Sequence, residues 1–139
     1  MAWQQLSPSV FYGNWESPFE LASRVATVIN VAHHFSHRRG RNAYWQRLAE
    51  LPHETLYFRF ARKDREHVDD KYMRALIAAV CIARELGKLP ILAHCQMGGH
   101  RGPSVGLFAA WWLSEGGRAS FDSLHQRVLE LTPGLVRGR

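Results

Sequence analysis

Apolar residues fall along this chain in two kinds of segment that alternate. Between Arg24 and Ala32 the run RVATVINVA is β-branched and almost unbroken in apolar character, the pattern of a strand covered on both faces. Thr55–Phe60, TLYFRF, predicts a second strand, and the polar, aperiodic ARKDREH that follows predicts a loop. The spacing then changes. From Val68 to Leu86 the residues Val68, Tyr72, Leu76, Val80 and Ala83 recur at helical steps, with Ile77 and Leu86 widening the stripe. Gly87 suits the position just past the helix end and Pro90 prevents continuation, so a short buried strand is expected at Ile91–His94. Pro103 fits the first turn of a second helix, whose VGLFAAWWL is almost wholly apolar and therefore expected to be buried, ending near Gly116-Gly117. Phe121, Leu124, Val128 and Leu131 mark a last amphipathic helix before the basic tail Val136–Arg139.

Strands alternating with helices predict an α/β fold: a central, mainly parallel sheet flanked by helices, with ligands bound beyond the carboxyl ends of the strands. The site is therefore expected after Ala32, Phe60 and His94. The length of 139 residues leaves room for one domain, residues 1–139. With 46% hydrophobic, 12% aromatic and 22% charged residues, the composition excludes disordered and low-complexity classes. Eighteen Lys and Arg against twelve Asp and Glu give a net charge of +6, which favours anionic ligands such as phosphate esters or nucleic acid. Two cysteines are too few for a disulfide framework, and the first residues carry no apolar signal-peptide core, so the expected location is cytoplasmic. The most apolar windows fall short of the roughly 20 residues that cross a bilayer, and no membrane association is expected.

The stretch His94-Cys95-Gln96-Met97-Gly98-Gly99-His100-Arg101 lies where strand hands over to helix. Successive backbone N–H groups in a tight loop form an anion-binding nest, and the helix behind adds about half a positive charge at its N-terminus. That field favours a thiolate over a thiol, which makes Cys95 a candidate nucleophile. Arg101 can offer a planar fork to two phosphate oxygens. Displacing an alcohol from phosphorus also needs a proton for the leaving oxygen, and Asp64, beyond Thr55–Phe60 at the expected active end of the sheet, is the candidate acid. Glu66 and Asp69 are its alternatives.

HCQMGGHR fits the His-Cys-x5-Arg phosphate-binding signature, and the chain thereby resembles the cysteine-dependent protein tyrosine phosphatase superfamily, its short length being similar to the dual-specificity phosphatase branch. VINVA resembles the strand before that branch's variable recognition region, PILAHC resembles the strand that delivers the nucleophile, and Asp64 stands at a spacing before Cys95 similar to that of the family's general acid. The likeness runs from about Val10 to about Pro133. It implies a protein tyrosine or dual-specificity phosphatase working in two steps with no metal and no cofactor. Cys95 would attack phosphorus to give a phosphocysteine, Asp64 would protonate the departing oxygen, and water would then hydrolyse the intermediate with Asp64 as base. Backbone amides of Gln96, Met97, Gly98, Gly99, His100 and Arg101 would hold the nonbridging oxygens. His94 would organise the loop without acting as a base. One position departs from the family pattern. Gly102 stands where a Ser or Thr hydroxyl usually assists the thiolate as leaving group, and Ser104 is a candidate substitute.

The partner expected is a phosphorylated protein or another phosphate monoester. An RNA 5′-phosphatase or phosphoinositide phosphatase on the same scaffold stays open on the basic charge, as does a phospho-ligand binding module with weak turnover on Gly102. A rhodanese-like sulfur transfer fits the Cys-x5-Arg spacing less well. Cys81 is expected in the core, as are Trp111 and Trp112, while Trp3, Trp15 and Trp45 either line the pocket or fill gaps. The basic run His33–Arg41 is read as a loop at the active rim, contacting phosphate or an acidic substrate flank, and not as a metal site because no cysteine pair accompanies its histidines.

Overall fold

The computed structural model describes residues 3–32, 38–62, 69–95, 101–114 and 118–132. Its strands are β1 (Trp3–Ser7), β2 (Val10–Gly13), β3 (Thr27–Ala32), β4 (Leu56–Arg62) and β5 (Ile91–His94). The helices are α1 (Ser17–Glu20), α2 (Arg38–Arg47), α3 (Asp70–Glu85), α4 (Arg101–Leu113) and α5 (Arg118–Leu131). The strands form one sheet in the order β1-β2-β5-β3-β4, in which β2, β5, β3 and β4 run parallel and β1 is an antiparallel edge. The carboxyl ends of four strands therefore open on one side of the molecule, as the alternation of strand and helix predicts.

β3 and β5 are buried at every position, which explains their continuous apolar sequences. Side-chain alternation then divides the interior into two layers. Val10, Tyr12, Ile29, Val31, Ile91 and Ala93 face the larger core with α3, α4 and α5. Phe11, Val28 and Leu92 face a smaller one with Leu21 and Val25. In the β3–β5 register Val28 lies beside Leu92 and Asn30 beside His94, so the polar pair continues the smaller layer toward the strand ends.

Several boundaries differ from expectation. β3 begins at Thr27, not Arg24, because the preceding residues complete a helical turn: Val25 N–H donates to the Leu21 carbonyl, and Arg24 lies over the rings of Trp3 and Phe11. The hairpin β1–β2 has no signature in the hydrophobic pattern, since its strands are too short for a period to show. The segment read as a loop at His33–Arg41 is helical from Arg38, where α2 begins, and His33–His37 lie outside the described residues.

α3 starts two residues after Val68. Asp69 caps it, its carboxylate accepting the Tyr72 backbone N–H at 2.8 Å. Leu76, Ala79, Val80 and Ala83 form the buried stripe, while Leu86, expected to widen it, is the C-cap residue just past the helix and is 59% exposed. Gly87 adopts φ 67°, and the Lys88 N–H returns to the Ala83 carbonyl at 2.7 Å, the closure that only a left-handed residue permits there. Cys81 proves half-buried, not core, with Arg84 3.9 Å from its sulfur.

α4 buries one face and not its whole circumference. Val105, Gly106, Ala109 and Ala110 meet the sheet, and a Cβ at Gly106 would stand 3.1 Å from Cβ of Tyr12, so glycine permits the close approach. Trp111 and Trp112, expected in the core, are half-buried: Trp112 packs against the larger core, and Phe121 of α5 meets Trp111 edge-on. α5 is tied to the hairpin through Arg127, whose Nε donates to the Leu6 carbonyl at 3.0 Å, and through Thr132 Oγ1, 2.6 Å from the Tyr12 hydroxyl. Among the described residues no helix is long and apolar enough to cross a membrane.

Candidate active site

The site is built where β2 and β5 end side by side. Gly13 pairs with His94 in the parallel register, and the next residue, Cys95, donates its backbone N–H to the Gly13 carbonyl at 3.3 Å. α4 begins at Arg101 and its second residue closes directly over this strand exit. A Cβ on Gly102 would lie 3.1 Å from the Gly13 carbonyl oxygen, 3.3 Å from the Cys95 nitrogen and 3.4 Å from Cys95 Sγ. The sulfur thus lies close to the first turn of a helix 13 residues long, 3.4 Å from where a Cβ on Gly102 would stand, and a helix N-terminus concentrates positive potential. Cys95 is 2% exposed and packs with the larger core.

Arg101 is half-buried at the head of α4, and Ser104 is exposed one turn in. Gln96, Met97, Gly98, Gly99 and His100 lie outside the described residues, as do Asp64 and Glu66. The carboxylate of Asp69 is engaged as the cap of α3. No group of three His, Cys, Asp or Glu side chains suited to a metal occurs among the described residues.

Below the strand ends a row of polar side chains runs through the smaller layer. His94 is fully buried, with Nδ1 3.1 Å from the Cys95 carbonyl oxygen and Nε2 2.9 Å from the Tyr44 hydroxyl. Tyr44 reaches down from α2, also fully buried, and its hydroxyl stands 2.6 Å from that of Tyr57 on β4. Asn30 on β3 completes the row, donating from Nδ2 to the Tyr57 oxygen at 2.9 Å. Burial pushes His94 down to about 4, against the opposing pull of its hydrogen bond to the Cys95 backbone, so the imidazole is neutral at pH 7. Both phenols are raised, chiefly by burial, and stay protonated.

Sequence reasoning identified Cys95, Arg101 and His94 from one contiguous motif. It did not find Gly13, Asn30, Tyr44 or Tyr57. Asn30 left a signal, a lone amide inside an apolar strand. Tyr44 left none, being one aromatic in a basic segment.

No protein-family model and no curated protein sequence matches the chain. Solved structures do. A mouse dual specificity phosphatase complexed with zinc tungstate superposes with a TM-score of 0.69 at 20% identity, covering 99% of this chain and 79% of that one. Human DUSP28 gives 0.68 at 19% identity over 99% and 86%, and Tk-PTP in its active form 0.66 at 16% over 98% and 88%. The fold is that of the dual-specificity phosphatases. A five-stranded sheet flanked by helices is what this chain shares with that fold.

Proposed function

We propose that this chain hydrolyses phosphate monoesters without a metal, through a phosphocysteine, and that its substrates are phosphorylated proteins with phosphotyrosine foremost. The observation that carries this reading is the seat of Cys95: it follows the central strand, and its sulfur lies 3.4 Å from where a Cβ on Gly102 would stand, in the first turn of a helix that opens with Arg101. The basic charge of the chain favours the same anionic ligands.

In the first step the Cys95 thiolate attacks phosphorus, the phosphorus–oxygen bond to the leaving group breaks, and Asp64 gives its proton to the departing oxygen. Arg101 and the backbone amides of the loop stabilise charge on the three nonbridging oxygens. In the second step water attacks phosphorus, Asp64 takes a proton from that water, and the sulfur leaves as thiolate. Gly102 offers no hydroxyl to the departing sulfur. Hydrolysis of the phosphoenzyme is therefore the slow step, and the chain holds phosphorylated enzyme during turnover.

The test is hydrolysis of p-nitrophenyl phosphate with EDTA present. Wild type is expected to release a rapid burst of phenol followed by slow turnover, Cys95→Ser to lose all activity and Asp64→Asn to lose most of it. Full activity in Cys95→Ser overturns the mechanism. Absence of both burst and turnover in wild type favours a module that binds phosphorylated ligands, the reading Gly102 also supports. Parallel assays on phosphopeptides, 5′-phosphorylated RNA and phosphoinositides decide the substrate class.

A further inference from the structure

Asn14 is the first residue beyond β2, and its place follows from how β2 and α4 meet. α4 runs back along the strand: a Cβ at Gly106 would stand 3.1 Å from Cβ of Tyr12, and one at Gly102, a turn earlier, 3.1 Å from the Gly13 carbonyl oxygen. Each step along β2 therefore leads toward the head of the helix, and Asn14 is the next step. The parallel register also sets it beside the nucleophile, since Gly13 pairs with His94 and the residues that follow them are Asn14 and Cys95. Val10 and Tyr12 face the larger core, and Asn14 is next in that series, on the side where Cys95 packs. Its acceptors are committed. The backbone carbonyl accepts from the Ser17 N–H and hydroxyl, and Oδ1 accepts the Glu16 N–H at 3.0 Å. The bond to Glu16 determines which end of the carboxamide is left over. That end is Nδ2 with its two donors, and among the described residues it has no partner.

We propose that Asn14 is a further catalytic residue: its Nδ2 donates a hydrogen bond to a nonbridging oxygen of the phosphoryl group, first on the substrate and then on Cys95. The inference rests on the reading of Cys95 as nucleophile. A tetrahedral dianion at the head of α4 needs donors from more than one direction. Arg101 supplies them from the helix, and Asn14 supplies one from the neighbouring strand. Gly102, the α4 residue that faces this strand exit, brings no side-chain donor of its own. A half-buried amide tied through Oδ1 to the following turn is held ready before the anion arrives, so little side-chain freedom is lost when it binds. Charge that builds on the phosphoryl oxygens as phosphorus is attacked strengthens the bond, so Asn14 lowers the barrier in both steps.

Binding of tungstate, a tetrahedral oxyanion, tests this apart from turnover. Asn14→Asp keeps an oxygen to accept the Glu16 N–H but loses the donor and sets a negative charge before the anion. Asn14→Ser keeps the turn through its hydroxyl and adds no charge. In calorimetry the wild type is expected to bind tungstate, Asn14→Ser about tenfold more weakly and Asn14→Asp more weakly still, and kcat on p-nitrophenyl phosphate falls in the same order. A role confined to the turn would leave both variants like wild type, and that result overturns the proposal. Weak binding in Asn14→Asp alone overturns it too, since it shows a charge nearby and no donated hydrogen bond. If a variant does not fold, the wild type still decides: the side-chain amide proton resonances of Asn14 are expected to move when tungstate is added, and unmoved resonances end the proposal. A wild type that binds no tungstate defeats the phosphate site itself and with it the reading of Cys95. Tungstate binding that depends on Asn14, with no hydrolysis of any phosphate monoester, keeps the contact and defeats the hydrolase reading instead.

Discussion

Gly102 has a steric reason to be glycine that is separate from the missing hydroxyl. The atoms a side chain would meet are the carbonyl oxygen of Gly13 and the nitrogen of Cys95, both backbone and both fixed by parallel pairing at the strand ends. They have little room to give. Gly102→Ala is therefore expected to lower stability by about 1–3 kcal/mol through overpacking and to displace Cys95 from the head of α4. Urea unfolding combined with steady-state hydrolysis checks this, the expected outcome being a lower midpoint together with a lower kcat. A variant as stable and active as wild type would show that the helix start slides freely over the strand exit. The same close approach explains why the site is legible from sequence only in part: Cys95 and Arg101 announce themselves in one motif, whereas the need for a glycine at 102 depends on Gly13, which belongs to a different strand.

At the scale of elements, α3 gives Asp69, an alternative to Asp64 as candidate acid, a structural task of its own. Asp69 is the residue that turns the chain into the helix, its carboxylate accepting the Tyr72 N–H and standing in the favourable field of the helix start. Asp69→Ala is expected to lose about 1 kcal/mol of stability while keeping its kcat. Thermal unfolding and phosphatase assays on the same preparation read both quantities, and a collapse in kcat would transfer the acid's role from Asp64 to Asp69. α2 makes the opposite point. Its basic composition reads as a rim that contacts phosphate or an acidic substrate flank, yet Tyr44 turns inward to His94. Periodicity found α3 because one face of that helix meets a sheet along its length. It did not find α2, which contributes a single fully buried ring among the residues whose side chains are described.

For the molecule as a whole, the buried imidazole couples stability to pH. His94 in the folded chain is held down to about 4, whereas in the unfolded chain it titrates near the ordinary 6.5. Between these values the unfolded state binds the extra proton, so stability falls as pH falls; above them neither state gains a proton and this contribution is constant. The full interval corresponds to about 3 kcal/mol. Urea midpoints measured from about pH 8 down to about pH 4 are expected to be level near neutrality and then to decline, with a shallower decline in His94→Gln because the titrating group is gone. Equal slopes in the two proteins would mean that His94 is hydrated or charged in the fold.

The sequence by itself determined the alternation of strands and helices, the parallel sheet and the anion-attracting motif from His94 to Arg101, because each of these is written in residues that are neighbours along the chain. Burial periodicity, a helix stop and a strand-to-helix turn are local properties. Only the tertiary structure decided that Gly13 would stand beside Cys95, that Asp69 would be spent on a helix cap, and that Tyr44, Tyr57 and Asn30 would line up beneath the nucleophile. Those relations join separate elements through the register of the sheet and the seating of helices on it. No periodicity within a segment encodes which hydroxyl from a distant helix will meet a given imidazole.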